Sequence, residues 1–155
     1  MGVHGPTLAS AFEAQVRRTP DRVAVVDGDR RLDYADLNAR ANRVAHRLIR
    51  AGVGPDSLVC LTIPRSAELV VALLGVLKAG AGYLPVDPDY PADRVRFTVE
   101  DAAPASVLTR EDVLDAAEGS GADTDPTDAD RTRPSHPLDL AYVIYTLGRP
   151  VEPEV

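Results

Sequence analysis

Two rhythms of apolar residues alternate along this chain, one with helical spacing and one in short continuous runs, and together they outline a fold. Leu8, Phe12 and Val16 share one helical stripe, with Thr7 placed to cap it and Thr19-Pro20 to end it. Val23-Ala24-Val25-Val26 reads as a short buried strand, closed by the turn Asp27-Gly28-Asp29, and Arg31-Leu32-Asp33 reads as its hairpin partner. From Tyr34 to Ala51 the helical spacing returns. Tyr34, Leu37, Ala41, Val44, Ala45, Leu48 and Ile49 form the apolar stripe, while Asp36, Arg40, Arg43, Arg47 and Arg50 occupy the remaining surface. Gly52 stands where a left-handed residue closes a helix, and Gly54-Pro55 prevents continuation.

Leu58-Val59-Cys60-Leu61-Thr62-Ile63 is apolar on both faces, as a central parallel strand must be, and Pro64 ends it. Ser66 caps a helix over 67–79 in which Leu69, Val70, Leu73, Leu74, Val76 and Leu77 lie nearly all round, predicting burial between layers. Gly80 stops that helix, and Tyr83-Leu84-Pro85-Val86 starts another strand. Pro91 suits the first turn of a helix running to about Asp101, Ser106-Val107-Leu108-Thr109 is the next strand, and residues 110–118 suit a short helix. The last strand is Leu140–Tyr145. This order predicts an α/β fold: a layered, mainly parallel sheet flanked by helices, with right-handed crossovers. Many chemistries share such sheets, so pattern alone leaves function open.

Composition narrows the partners. The chain has 155 residues, which predicts one domain over 1–155, and its 45% apolar and 26% charged residues are ordinary for a globular protein. A net charge of −7 argues against nucleic acid and against an anionic membrane surface. Much of the acid lies in 111–130, where Glu111, Asp112, Asp115, Glu118, Asp123, Asp125, Asp128 and Asp130 stand without a Lys or Arg, the pattern of a solvated segment. Within it, 119–137 has no periodicity and reads as a flexible loop. Cys60 is the only cysteine and reads as a buried structural thiol. No apolar run reaches the ~20 residues of a spanning helix, and the first residues lack the blocks of a signal peptide, so a cytoplasmic setting is expected. Lys78, the sole lysine among many arginines, reads as compositional bias. His46 falls on the arginine-rich side of its helix and reads as a surface residue, far in sequence from His4 and His136. No Walker pattern, dinucleotide fingerprint or metal-ligand cluster is present, and none of these residues reads as catalytic.

One place suits anion chemistry. Tyr142-Val143-Ile144-Tyr145 is a strand that runs into Thr146-Leu147-Gly148, and backbone N–H groups at such a strand end can converge on phosphate. Thr146 and Gly148 are therefore the candidate nucleotide-binding residues. From these residues alone, one glycine after a strand is more often just a turn.

Several segments then carry a family resemblance. Leu32-Asp33-Tyr34-Ala35-Asp36-Leu37-Asn38-Ala39-Arg40-Ala41-Asn42 resembles the first core motif of nonribosomal peptide synthetase adenylation domains. Leu77-Lys78-Ala79-Gly80-Ala81-Gly82-Tyr83-Leu84-Pro85-Val86-Asp87, followed by Pro88-Asp89-Tyr90-Pro91 and Arg94, resembles the second and is the most specific match. Phe12, Thr19-Pro20-Asp21 and Val23-Ala24-Val25 are in the same style, and Leu140–Thr146 resembles the strand entering the third, phosphate-binding motif. The resemblance spans essentially the whole chain. It implies the partial N-terminal subdomain of an adenylate-forming enzyme, which joins an amino acid to the α-phosphate of ATP with magnesium and loads a carrier protein. Its first two motifs are chiefly structural.

The third motif departs from the family. After tyrosine-threonine the family has serine, glycine, serine or threonine, threonine, glycine, any residue, proline, lysine, glycine. A gapless overlay keeps Gly148 and Pro153, but puts Val151 at a glycine and Glu154 at the lysine. An overlay with a deletion matches Gly148-Arg149-Pro150 to the loop's end and loses its hydroxyl core. Either way the cradle is spoiled, since a carboxylate repels triphosphate and a branched side chain blocks close backbone approach. The family's amino-acid pocket, magnesium carboxylate and catalytic lysine lie downstream of these motifs. The expectation is a truncated domain that is inactive alone and binds neither ATP nor magnesium by itself. Its alternatives are a non-catalytic module docking to a synthetase partner, and a half-enzyme completed in trans by the downstream remainder.

Overall fold

A computed structural model describes residues 7–119, 121–133, 145–146 and 149–150. Helix α1 (Leu8–Arg18) opens with a reciprocal cap: Ser10 N donates to Thr7 Oγ1 at 3.0 Å and Thr7 N to Ser10 Oγ at 2.8 Å. Strands β1 (Val23–Asp27) and β2 (Arg30–Asp33) form an antiparallel hairpin turned at Gly28, whose φ of 60° is the left-handed conformation a tight hairpin demands. Asp33 ends β2 and caps α2 (Tyr34–Arg50) at once, its carboxylate accepting from Asp36 N at 2.7 Å. The chain continues through β3 (Leu58–Thr62), α3 (Ala67–Lys78) capped by Ser66, β4 (Gly82–Pro85), α4 (Ala92–Ala102), β5 (Ser106–Thr109) and α5 (Arg110–Ala117). Further on, β6 (Tyr145–Thr146) pairs with β7 (Arg149–Pro150).

Strands β4, β3 and β5 make a parallel sheet in that order, with Cys60 of β3 level with Leu84 on one side and Val107 on the other. The chain moves from β3 outward to β4, then back across to β5. That reversal sends the two crossover helices to opposite faces when both share one hand. Val59 and Leu61 face the larger core with α2, α3 and α5, while Cys60, Leu84 and Val86 pack with Leu58, Val95, Val99 and Ala102 beside α4. A strand buried on both faces explains why Leu58–Thr62 shows no polar alternation.

One expectation needs correction. Helix α3 is not buried all round: Val71, Ala72, Gly75 and Val76 are inside, whereas Leu69, Val70, Leu73 and Leu74 keep partial exposure. Two neighbouring layers cover only part of a helix's circumference, and apolar residues fill the rest. The expected strand 140–145 lies outside the described residues except for Tyr145, which belongs to an antiparallel hairpin separate from the parallel sheet. The segment 121–133 has neither helix nor strand, in line with its composition.

The α2–α3 contact is closest at Gly75. A Cβ there would sit 2.6 Å from Val44 Cγ1 and 3.2 Å from the Ala41 carbonyl oxygen, so only glycine permits this approach. Alanine has the better helix propensity by about 1 kcal/mol, yet overpacking costs about 1–3 kcal/mol. G75A should therefore lower the unfolding midpoint in a urea titration; a rise in midpoint would mean that the two helices separate readily.

Candidate functional site

Of the sequence candidates for phosphate binding, Thr146 lies in β6. Tyr145 stands opposite Pro150 and Thr146 opposite Arg149, so Leu147 and Gly148 are the only residues linking two paired strands. A two-residue link is the length of a tight hairpin. Gly148 itself lies outside the described residues. Among the described residues no group of three His, Cys, Asp or Glu side chains could hold a metal ion.

A second place follows from topology, because α/β sheets bind ligands at the carboxyl ends of their strands where the strand order reverses. A broad cleft of about 880 Å³ lies there, between α4 and the ends of β3 and β5. Its walls include Pro64, Pro88, Val95, Val99 and Val107. Four of its polar groups are already engaged. Arg110 Nε donates to Glu68 Oε1 at 2.9 Å, Arg96 pairs with Asp93, Thr62 Oγ1 donates to the Leu108 carbonyl at 3.3 Å, and Thr109 Oγ1 bonds Asp112 at 3.0 Å. Tyr90 and Val107 of its lining are exposed. The cleft is thus mainly apolar, with Tyr90, Glu100 and Glu111 as its remaining polar lining.

Buried charge is concentrated in two other clusters, and the sequence reading missed both. Lys78, on the last turn of α3, has a fully buried side chain. Its Nζ bonds Glu13 of α1, lies 3.4 Å from Asp125 Oδ1, and stands 5.6 Å from the centre of the Phe12 ring. Asp125 also accepts from Asn38 Nδ2 at 2.8 Å and Asn42 Nδ2 at 3.1 Å, both on α2. Burial favours the neutral Asp125 carboxyl, but Asn38, the Lys78 charge and Asn42 together hold it below its ordinary value of 3.8. The expectation of a simply solvated acidic segment therefore fails at Asp125, because a carboxylate can leave water when it gains a cation and two amide donors. His46, expected on the surface, is half-buried, with Nε2 2.8 Å from the Thr124 carbonyl oxygen.

The second cluster centres on Glu68, in the first turn of α3. Arg30 of β2 lies 2.9 Å away and Arg110 of α5 also 2.9 Å, so one carboxylate ties the hairpin and α5 to the same helix end. Asp27 adds to this join by accepting from Ala67 N at 3.0 Å. Burial pushes the Glu68 carboxyl up, yet the two guanidinium groups bring it below its ordinary 4.5. Cys60, within the sheet, is fully buried as expected, and burial pushes its thiol up to about 11. A signal for the missed clusters did exist: Glu68 and Lys78 are the only charges in an otherwise apolar helix, and a charge there must find partners.

With this geometry in hand, comparison with known proteins is direct. The family model described as AMP-binding enzyme matches residues 12–148. The chain belongs to the AMP-binding enzyme family. Within that family it is 46% identical to the dimodular nonribosomal peptide synthase of Bacillus subtilis (strain 168), over 91% of this chain and 7% of the relative. It is 40% identical to tyrocidine synthase 1 of Brevibacillus parabrevis, over 97% of this chain and 15% of that protein. Crystal structures of the nonribosomal peptide synthetase FmoA3 superpose with a TM-score of 0.76 at 37% identity, covering 99% of this chain and 17% of the other. The AMPPNP-bound form gives 0.77 at 31% identity. The chain thus corresponds to the N-terminal part of an adenylation domain and spans a small fraction of the relatives it matches. Its α/β architecture is that family's.

The two lowered carboxyls set the acid behaviour. A folded-state value below the unfolded one adds stability that is present above the unfolded value and lost as pH falls through the folded one. Stability should hold steady above about pH 5 and decline below it. E68Q should cost about 1–3 kcal/mol at neutral pH and flatten the acid decline, as measured by urea midpoints between pH 3 and pH 7. An unchanged acid limb would show that Glu68 carries no linkage.

Proposed function

We propose that these residues serve as the N-terminal structural part of an amino-acid-adenylating unit of nonribosomal peptide synthesis, and that alone they do not activate an amino acid. The observation that carries this reading is the β6–β7 register, which leaves two residues where the resemblance calls for a phosphate loop. Joining an amino acid to the α-phosphate of ATP builds up negative charge that preorganised N–H groups and cations must stabilise. In this chain the position that the gapless overlay gives to a lysine holds Glu154, and Val151 stands at a glycine. ATP and magnesium belong to the intact unit, where further polypeptide supplies the amino-acid pocket, the magnesium carboxylate and the catalytic lysine.

What this part contributes is framework. The first family motif lies on β2 and α2 and the second on α3 and β4, and their side chains build the helix layer and the parallel sheet. Synthetase modules or a downstream remainder are the partners that suit it, with a carrier protein as acceptor in the intact unit. The apolar cleft lined by Tyr90 and Val107 supports such a partner over autonomous action, since large exposed apolar surface marks interfaces. The cytoplasm, which supplies ATP and amino acids, is the fitting location.

The test is ATP–pyrophosphate exchange with each amino acid in turn, using the purified chain alone and with the neighbouring synthetase polypeptide. No exchange is expected from the chain alone, and ATP should leave its melting temperature unchanged. Amino-acid-dependent exchange by the chain alone would overturn the proposal. Exchange appearing only in the mixture would establish completion in trans.

A further inference from the structure

Residues 121–133 lie across the helix layer without a helix or strand of their own. The acidic side chains of this segment meet groups that the helices present. Asn42 Nδ2 donates to the Asp123 carbonyl at 2.7 Å, and Arg43 stands 3.6 Å from the Asp123 carboxylate. Arg131 Nε donates to the Lys78 carbonyl at 2.8 Å, and Arg133 pairs with Asp56 at 3.0 Å. Near its middle Asp125 reaches α2 and α3 together, through Asn38, Asn42 and Lys78. Pro126 is the one buried side chain of the segment. Its attachment is therefore polar and centred on one carboxylate, while the layer beneath is apolar and packed. Segments with few buried apolar contacts open at far lower free energy than the core they cover.

We propose that 121–133 is a detachable strap, latched by Asp125, whose opening uncovers the ammonium of Lys78 while the body of the fold stays intact. Lys78 is touched by the strap at both its side chain and its backbone oxygen, and α1 covers it from the other direction through Glu13. The far end of the strap passes against Gly54. A Cβ at that glycine would fall 1.9 Å from Thr132 Oγ1 and 3.1 Å from Thr132 Cβ, so a side chain there must displace the strap. The latch and this contact offer two independent ways to open it.

The chain carries its own pair of reporters, since Lys78 is its only lysine and Cys60 its only cysteine, the latter fully buried between β4 and β5. The full chain is treated at neutral pH with an amine-reactive succinimidyl ester or with iodoacetamide, and modification of the Lys78 and Cys60 peptides is followed by mass spectrometry. In the unaltered chain Lys78 should be modified while Cys60 stays protected. D125N should speed Lys78 modification about tenfold, the effect of losing one charge-assisted contact, with Cys60 unchanged. D93N alters an exposed carboxylate that pairs with Arg96 within α4, away from the strap, and should behave as the unaltered chain. If D125N leaves Cys60 reactive from the start, the chain has unfolded and G54A decides: faster Lys78 modification with Cys60 protected supports the strap. Lys78 and Cys60 reacting in step in the unaltered chain and in G54A would overturn it, as would equal acceleration by D125N and D93N. A D125N or G54A chain that folds with unaltered Lys78 kinetics would overturn it as well.

Discussion

Burying one ammonium group dictates much of how this fold is closed. A lone cation out of water is costly, and it is tolerated only when carboxylates and further hydrogen bonds accompany it. For Lys78 those partners come from α1 and from the segment after α5, and Asp125 in turn needs the amides of α2. Three helices and an irregular segment therefore have to arrive together for any of these charges to be satisfied. The apolar layer beneath supplies the free energy, and the ionic cluster sets which arrangement of that layer is acceptable.

The same cluster gives physical content to the family motifs. Asn38 and Asn42 belong to the first motif and Lys78 to the second, and all three converge on Asp125. Two stretches that look independent in the sequence are thus halves of one polar joint. Glu68 makes a second joint at the other end of α3, with Arg30 and Arg110. Both joints sit at the ends of α3, so that one helix carries the buried charge that ties the hairpin, α1, α2 and α5 together.

The helices and strands were legible because each obeys a local rule. The caps at Thr7 and Ser66, the stops at Gly52 and Gly80, and the doubly apolar Leu58–Thr62 all depend on neighbours within a few residues. The ion clusters were not legible, because their partners lie far apart in sequence and only the packed helices show which carboxylate meets which cation. Lys78 looked like a compositional accident until its burial was known. The partial exposure of Leu69 and Leu73 was hidden for the opposite reason: periodicity shows that a helix is apolar all round, and says nothing about how many layers will cover it. At Thr146 and Gly148 the sequence pointed to a strand entering a glycine turn, whereas the length of the link between paired strands emerged only from their register.

The separation between Lys78 and its two counter-charges has a consequence for synthesis. Glu13 precedes the lysine by 65 residues and Asp125 follows it by 47. A ribosome adding roughly 5–20 residues each second delivers the second carboxylate some seconds after the ammonium. During that interval α1 is the only source of a buried partner, so α1 has the first opportunity to set where α3 comes to rest. The joint is completed in the order in which the chain is made.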